Sequence, residues 1–283
     1  MIFVGDDWGE VQHDITVLDE HGRQVGRVGV SDTVDGARRL QALLAEHVET
    51  PEDVVIGIET SSGLLARLLV AAEYQVYVVN PLAASRYRER HAVSGAKSDA
   101  RDSKMLADMV RTDRHNQRRY LGDSDLAAAV KVLARSHKEL IWSRQRQVNQ
   151  LRSTLRVYYP AVLGIFDELG SHEALTLLHR APTPAEGRSL SLAKIRSVLE
   201  AAGRQRGLDA RAQAIQQSLR SPQLEAPPLT THAYGTTVRA WVAVLRATGE
   251  QIAVLEAELA QSFESHPDAE IIRSLPGLGA VLG

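Results

Sequence analysis

The 283 residues include no cysteine, only three phenylalanines, three tryptophans and seven tyrosines, and ten prolines. Without cysteine the chain has no disulfide framework, no thiolate metal site and no cysteine nucleophile. The longest apolar stretch, residues 63–72, is interrupted by Arg67 and is about half of the roughly 20 residues a membrane-spanning helix requires. No basic region followed by a signal-like apolar run opens the chain, so the expectation is a cytoplasmic protein with no membrane partner. A Gly-x-Gly-x-x-Gly fingerprint and a Gly-Lys-Ser/Thr phosphate loop are both missing, which lowers the prospect of a nucleotide-binding enzyme. What is present is ordinary globular composition, 44% hydrophobic and 24% charged, in a chain long enough for one large domain or two.

The net charge of -2 conceals an asymmetry. Residues 86–156 carry 17 Lys and Arg against 8 acids, a surplus of nine, which leaves the remaining residues eleven negative. Such polarisation is what a polyanion partner selects, because phosphate neutralisation supplies most sequence-independent affinity for nucleic acid. A set of solvated helix faces is the plainer explanation of the same pattern.

Up to about residue 120 the apolar pattern alternates between the two periodicities. Short runs at 2–4, 15–18 and 25–30 read as three strands, with a turn at His21-Gly22-Arg23. Val34, Ala37, Leu40, Leu43 and Leu44 then recur at helical spacing behind a Ser31–Thr33 cap. Val54-Val55-Ile56-Gly57-Ile58 reads as a central strand covered on both faces. A helix through Leu64–Leu69, a strand over 76–79 and a helix over 98–110 follow. Three sequential strands and two crossover units imply a mixed sheet with helices on both faces, the topology of the RNase H-like fold; actin-like ATPases open the same way. From Leu126 two long amphipathic stripes, one ending at Pro160 and one running from Val238 to Leu259, enclose shorter helical pieces broken by prolines. They predict an antiparallel coiled-coil arm, packed within the chain or, as a dimerisation arm, onto a neighbouring subunit.

Four acids fall where this topology brings them together. Asp7 ends the first strand, Glu59 follows the fourth, and Asp99 and Asp102 stand three apart at the start of the 98–110 helix, on one helix face. Alternation favours Asp7 over Asp6. Hard oxygen donors of this kind suit Mg²⁺ or Mn²⁺ and phosphoryl transfer. Taken singly, each acid also has a structural explanation, as a strand terminator or as a partner of the helix dipole. The histidines show no pair at ligand spacing and read as surface or supporting residues. Trp142, Tyr158 and Tyr159 alternate with basic residues and read as core or interface positions of the arm rather than base-stacking ones.

The set Gly5-Asp6-Asp7-Trp8 with His13-Asp14, Ile58-Glu59-Thr60 with Gly63, Val79-Asn80-Pro81 with Arg86-Tyr87-Arg88, and Gly95-Ala96-Lys97-Ser98-Asp99-Ala100-Arg101-Asp102 with Leu106-Ala107-Asp108 resembles the DEDD transposases of the insertion-sequence one-ten family, relatives of the Piv-type DNA invertases. The resemblance covers residues 1–160 in detail and the remainder in outline. It implies a RuvC-like domain over 1–122 whose catalytic, metal-binding acids are Asp7, Glu59, Asp99 and Asp102. A helical coiled-coil region over 123–266 would follow, and 267–283 would open a truncated carboxy-terminal transposase domain at Ser274-Leu275-Pro276-Gly277-Leu278-Gly279. It further implies a bacterial, nucleoid-associated recombinase of an insertion sequence, with Mg²⁺ or Mn²⁺ as cofactor, DNA and a guide (bridge) RNA as partners, and a serine nucleophile from the missing domain. Phosphate contacts are expected from Arg86, Arg88, Arg90, Lys97, Arg101 and Lys104. A RuvC-like junction nuclease and a catalytically incomplete nucleic-acid-binding protein are the alternatives.

Overall fold

The computed structural model describes residues 1–9, 11–61, 63–91 and 99–275, with residues 91, 99 and 100 described in backbone only. The described chain forms two compact units, Met1–Asp123 and Ser124–Gly283.

The first unit is built on strands β1 (Ile2–Asp7), β2 (His13–Leu18), β3 (Gln24–Val30), β4 (Val54–Ile58), β5 (Gln75–Val78) and β6 (Arg118–Arg119). Their order across the sheet is β3-β2-β1-β4-β5-β6. β1 pairs antiparallel with β2 and parallel with β4, β4 pairs parallel with β5, and β6 returns antiparallel on β5. The mixed α/β sheet expected from the strand order is thus present. The sixth strand, only two arginines long, carries too little apolar pattern to be read from sequence.

Each face of the sheet has its own core. Ile2, Val4, Ile15, Val17, Ile56 and Ile58 pack beneath α1 (Val34–Ala45) and α2 (Leu64–Ala71). Phe3, Leu18 and Val55 pack on the other side with Leu106 and Val110 of α4 (Asp99–Asp113) and Ala84 of α3 (Pro81–His91). All five residues of β4 are buried, which explains why that segment lacks the alternation of a half-exposed strand. Thr33 caps α1 by accepting from the Gly36 amide.

Two glycines set how close α4 lies. Gly5 of β1 and Gly57 of β4 are register partners. A Cβ on Gly5 would stand 1.8 Å from the Ser103 carbonyl oxygen and 2.5 Å from the Ala107 nitrogen; one on Gly57 would stand 2.9 Å from the Leu106 carbonyl oxygen. The helix backbone therefore rests directly on the sheet at paired positions that no side chain can occupy. A buried hydroxyl pair, Thr16 Oγ1 to Ser103 Oγ at 2.8 Å, holds the same turn of α4 against β2.

The second unit is helical: α5 (Asp125–Tyr158), α6 (His172–Arg180), α7 (Pro184–Ser189), α8 (Leu192–Ala201), α9 (Leu208–Arg220), α10 (Pro228–Glu264) and α11 (Ala269–Arg273). Its core gathers Leu151, Leu155, Tyr158 and Tyr159 with Leu178, Ile195, Ile215, Val238 and Val242. Pro160 ends α5 as expected, opening a 3-10 turn. Tyr158 and Tyr159 are fully buried, but Trp142 is 54% exposed and lies on the surface of α5 rather than in its core. α5 and α10 pack against each other, with the Thr248 hydroxyl oxygen 3.5 Å from Gln147 Oε1. The Ser274-to-Gly279 segment lies outside the described residues beyond Leu275.

Candidate active site

Strand alternation sorts the acids at the carboxyl ends of β1 and β4. Phe3 and Gly5 face α4, so Asp7 continues on that side, directly opposite Asp14 of β2. Ile2 and Val4 face α1 and α2, so Asp6 belongs to the other side, where it is 5% exposed. Asp7 and Asp102 thus share the α4 face. Glu59 stands one residue past β4, in line with Asp7 across strands about 4.8 Å apart. The paired glycines carry consequence here, because they lower the first turns of α4, which hold Asp99 and Asp102, onto the strand ends that hold Asp7 and Glu59.

Asp102 has a partner. Arg88 of α3 places Nη2 2.9 Å from its Oδ1, with Asp102 13% and Arg88 34% exposed. A second polar tie binds the same two helices: the Tyr87 hydroxyl donates to Asp108 Oδ2 at 2.6 Å, while Arg111 donates to Asp108 Oδ1. Arg88, expected at the surface as a phosphate contact, is half-buried and engaged with an acid of the site. Arg86, Arg90, Arg101 and Lys104 are exposed. Lys97 lies outside the described residues, as does the side chain of Asp99. Asp14 pairs with Arg27 at 2.8 Å.

Among the described residues no three His, Asp or Glu gather closely enough to hold a metal. Asp102 is drawn to Arg88, and Glu59 also borders a cavity on the opposite side of the sheet. The donor set fits a hard divalent cation in its chemistry, being all carboxylate oxygen.

That opposite cavity, about 10 Å³ and bordered by Asp6, Trp8, His13, Ile58, Glu59 and Thr60, has room for about one water. His13 is 5% exposed. Its Nδ1 is 2.8 Å from Asp6 Oδ1 and its Nε2 3.3 Å from Asp32 Oδ1. Burial by itself depresses the imidazole, but the bonds and charges of Asp6 and Asp32 outweigh it and hold His13 above its ordinary value of 6.5. The sequence offered no signal for this role, since the two aspartates stand 7 residues before and 19 after it. A histidine that binds its proton more tightly when folded adds stability that is fully present below 6.5 and fades as pH rises through the elevated value. Thermal unfolding between pH 6 and pH 8 is accordingly expected to show declining stability with rising pH, and His13→Gln to flatten that decline; an unchanged slope would show that the cluster does not hold the proton.

No helix among the described residues is long and apolar enough to cross a membrane. Residues 4–160 match the family profile DEDD_Tnp_IS110, described as Transposase. The chain is 39% identical over 287 residues to the "Mini-circle putative transposase for IS117" of Streptomyces coelicolor, aligning over its whole length with 69% of that protein. It is 27% identical over 200 residues to "Putative transposase y4uE" of Sinorhizobium fredii, covering 70% of this chain and 56% of that one. It is also 27% identical to the "Insertion element IS110 uncharacterized 43.6 kDa protein" of Streptomyces coelicolor, over 98% of this chain and 68% of the other. With the match to the family profile covering more than half of its residues, the chain belongs to the DEDD transposases of the IS110 family.

Proposed function

We propose that this chain carries the metal-dependent, RuvC-like catalytic half of an insertion-sequence recombinase, with Asp7, Glu59, Asp99 and Asp102 as the acids that hold Mg²⁺ or Mn²⁺. The observation that carries the reading is the Gly5–Gly57 floor, which seats the acid-bearing end of α4 over the ends of β1 and β4. The strand order, three antiparallel strands followed by two parallel ones, supports an RNase H-like fold. When bound, divalent ions supply charge neutralisation at the attacking and leaving oxygens of a phosphodiester. The chain's own residues position the partners: Asp7, Glu59, Asp99 and Asp102 would hold the ions, and Arg86, Arg90, Lys97, Arg101 and Lys104 contact phosphates. The long helices α5 and α10 form the coiled-coil arm through which two copies associate. The serine nucleophile of strand transfer is the one the family carries in its carboxy-terminal transposase domain, and the exposed cations serve a guide RNA as well as DNA.

The test is to express the chain with the flanking DNA of its insertion element, purify it at moderate salt, sequence any RNA that accompanies it and assay the complex on element-end DNA with Mn²⁺. A single structured RNA from the flank is the expected result. Random RNA, or none, removes the guide from the reading. The absence of both metal-dependent cleavage and DNA binding would overturn the enzymatic reading.

A further inference from the structure

Helix α5 carries seven Lys and Arg but only two acids, Asp125 and Glu139. At 100° per residue, Lys131, Arg135, Lys138, Arg146, Arg152 and Arg156 fall within about 60° of a single line along the helix. Neither acid lies within that band. The buried residues His137, Val148, Leu151, Leu155 and Tyr158 centre on the opposite side. All of the six except Arg152, which is half-buried and donates to the Asp167 carbonyl, are exposed. From Lys131 to Arg156 the stripe runs about 37 Å at 1.5 Å per residue. In its middle stands Trp142, 54% exposed, with the Lys138 ammonium 4.9 Å from its ring centroid.

We infer that this face of α5 is a second nucleic-acid site, separate from the cations around the acids, and that it takes the sugar-phosphate backbone of a double helix. The inference rests on the nucleic-acid reading above and extends it to cations which that reading does not name. Three features choose the ligand. A row of cations without an acid over about 37 Å matches a regular line of phosphates, about one full turn of duplex. The side chains within the row are polar, Gln145, Asn149 and Ser153, and Trp142 is its one large apolar group; a protein partner would require an apolar centre poor in lysine. The exposed apolar residues that border the stripe, Val132, Ile141 and Val157, are scattered along both of its edges, unlike the single continuous apolar face of a helix that lies in a membrane surface. Contacts of this kind position a duplex without reading its sequence.

The experiment compares the wild-type chain with the triple variant Arg135→Ala, Lys138→Ala, Arg146→Ala, and with a control triple variant Arg86→Ala, Arg90→Ala, Lys104→Ala. Fluorescence anisotropy on duplex DNA and duplex RNA of arbitrary sequence, about 24 base pairs long, is followed across a salt series, with circular dichroism and light scattering on each protein. The α5 variant is expected to remain helical and keep its oligomeric state. Its slope of log affinity against log salt should fall by nearly three, at about 0.9 for each B-form DNA phosphate that the protein ceases to neutralise. Weakening on both duplexes assigns the shared backbone, and weakening on one assigns DNA or RNA. An unchanged slope with weakening only in the control variant overturns the α5 site and leaves the active-site reading in place. A changed oligomeric state with unaltered binding assigns the stripe to a second copy of the chain and overturns it as well. If neither variant alters binding, the nucleic-acid reading and the α5 site fail together.

Discussion

Gly5→Ala is expected to unfold the amino-terminal unit at markedly lower denaturant than wild type, with a loss of at least about 3 kcal/mol, the upper range for overpacked cores. The new methyl carbon would stand 1.8 Å from the Ser103 carbonyl oxygen and 2.5 Å from the Ala107 nitrogen. Both are backbone atoms of a helix whose apolar side, including Leu106 and Val110, is buried against the same sheet. Rotamer changes cannot relieve the contact, so α4 must lift and give up packing along its length. A domain stable by about 5–15 kcal/mol has little margin for this. Gly164→Ala is the control: no atom lies within 4 Å of the Cβ position and φ is not positive, so a change within about 1 kcal/mol, of either sign, is expected. Urea denaturation followed by circular dichroism measures both. Wild-type stability in Gly5→Ala would mean that α4 does not lie against β1 as described.

Divalent-ion binding is expected to respond in opposite directions to the two members of the Arg88–Asp102 pair. Asp102→Asn removes a proposed ligand and should weaken Mn²⁺ binding by at least about 100-fold, the upper end of what changes to groups behind the ligands produce. Arg88→Ala removes the cation that holds Asp102 at 2.9 Å. A charged hydrogen bond contributes about 1.5–3 kcal/mol, and the 34% exposure of Arg88 argues for the lower end. At about 1.4 kcal/mol per decade, Arg88→Ala should tighten Mn²⁺ binding about tenfold. The double variant should match Asp102→Asn alone, because Arg88 has nothing left to compete for. Titration calorimetry with Mn²⁺ measures all three. Weaker binding in Arg88→Ala would make Arg88 a support of the acid rather than a competitor for it, and unchanged binding in Asp102→Asn would remove Asp102 from the metal site.

The elements that local pattern specifies were legible. The five buried residues of β4 lack a charge because helices cover both sides of that strand, and the apolar stripe from Leu126 to Leu155 foretold α5 because one side of it is packed along the helical unit. Alternation along β1 puts Asp7 on the side of Phe3 and Gly5 and Asp6 on the side of Ile2 and Val4. Relations across elements left no such trace. His13 read as a supporting or surface residue because neither Asp6 nor Asp32 stands at a ligand spacing from it, yet sheet pairing and the turn after β3 bring both to its ring. Arg88 read as a phosphate contact because an arginine in a basic run looks alike whether it meets solvent or an acid on the neighbouring helix.

The sequence by itself determined the first five strands and the helices between them, the two cores of the sheet, the placement of acids at strand ends and membership of the IS110 transposases, since each depends on periodicity or motif within a short window. Tertiary structure alone decided how near those elements come: that α4 rests on two glycines paired across β1 and β4, that Asp102 meets Arg88, that His13 is closed between two aspartates, and that Trp142 stands among cations on the outer side of α5. The physical reason is range. Backbone geometry fixes periodicity within a few residues, whereas contacts between elements depend on packing distances that a single missing Cβ can set.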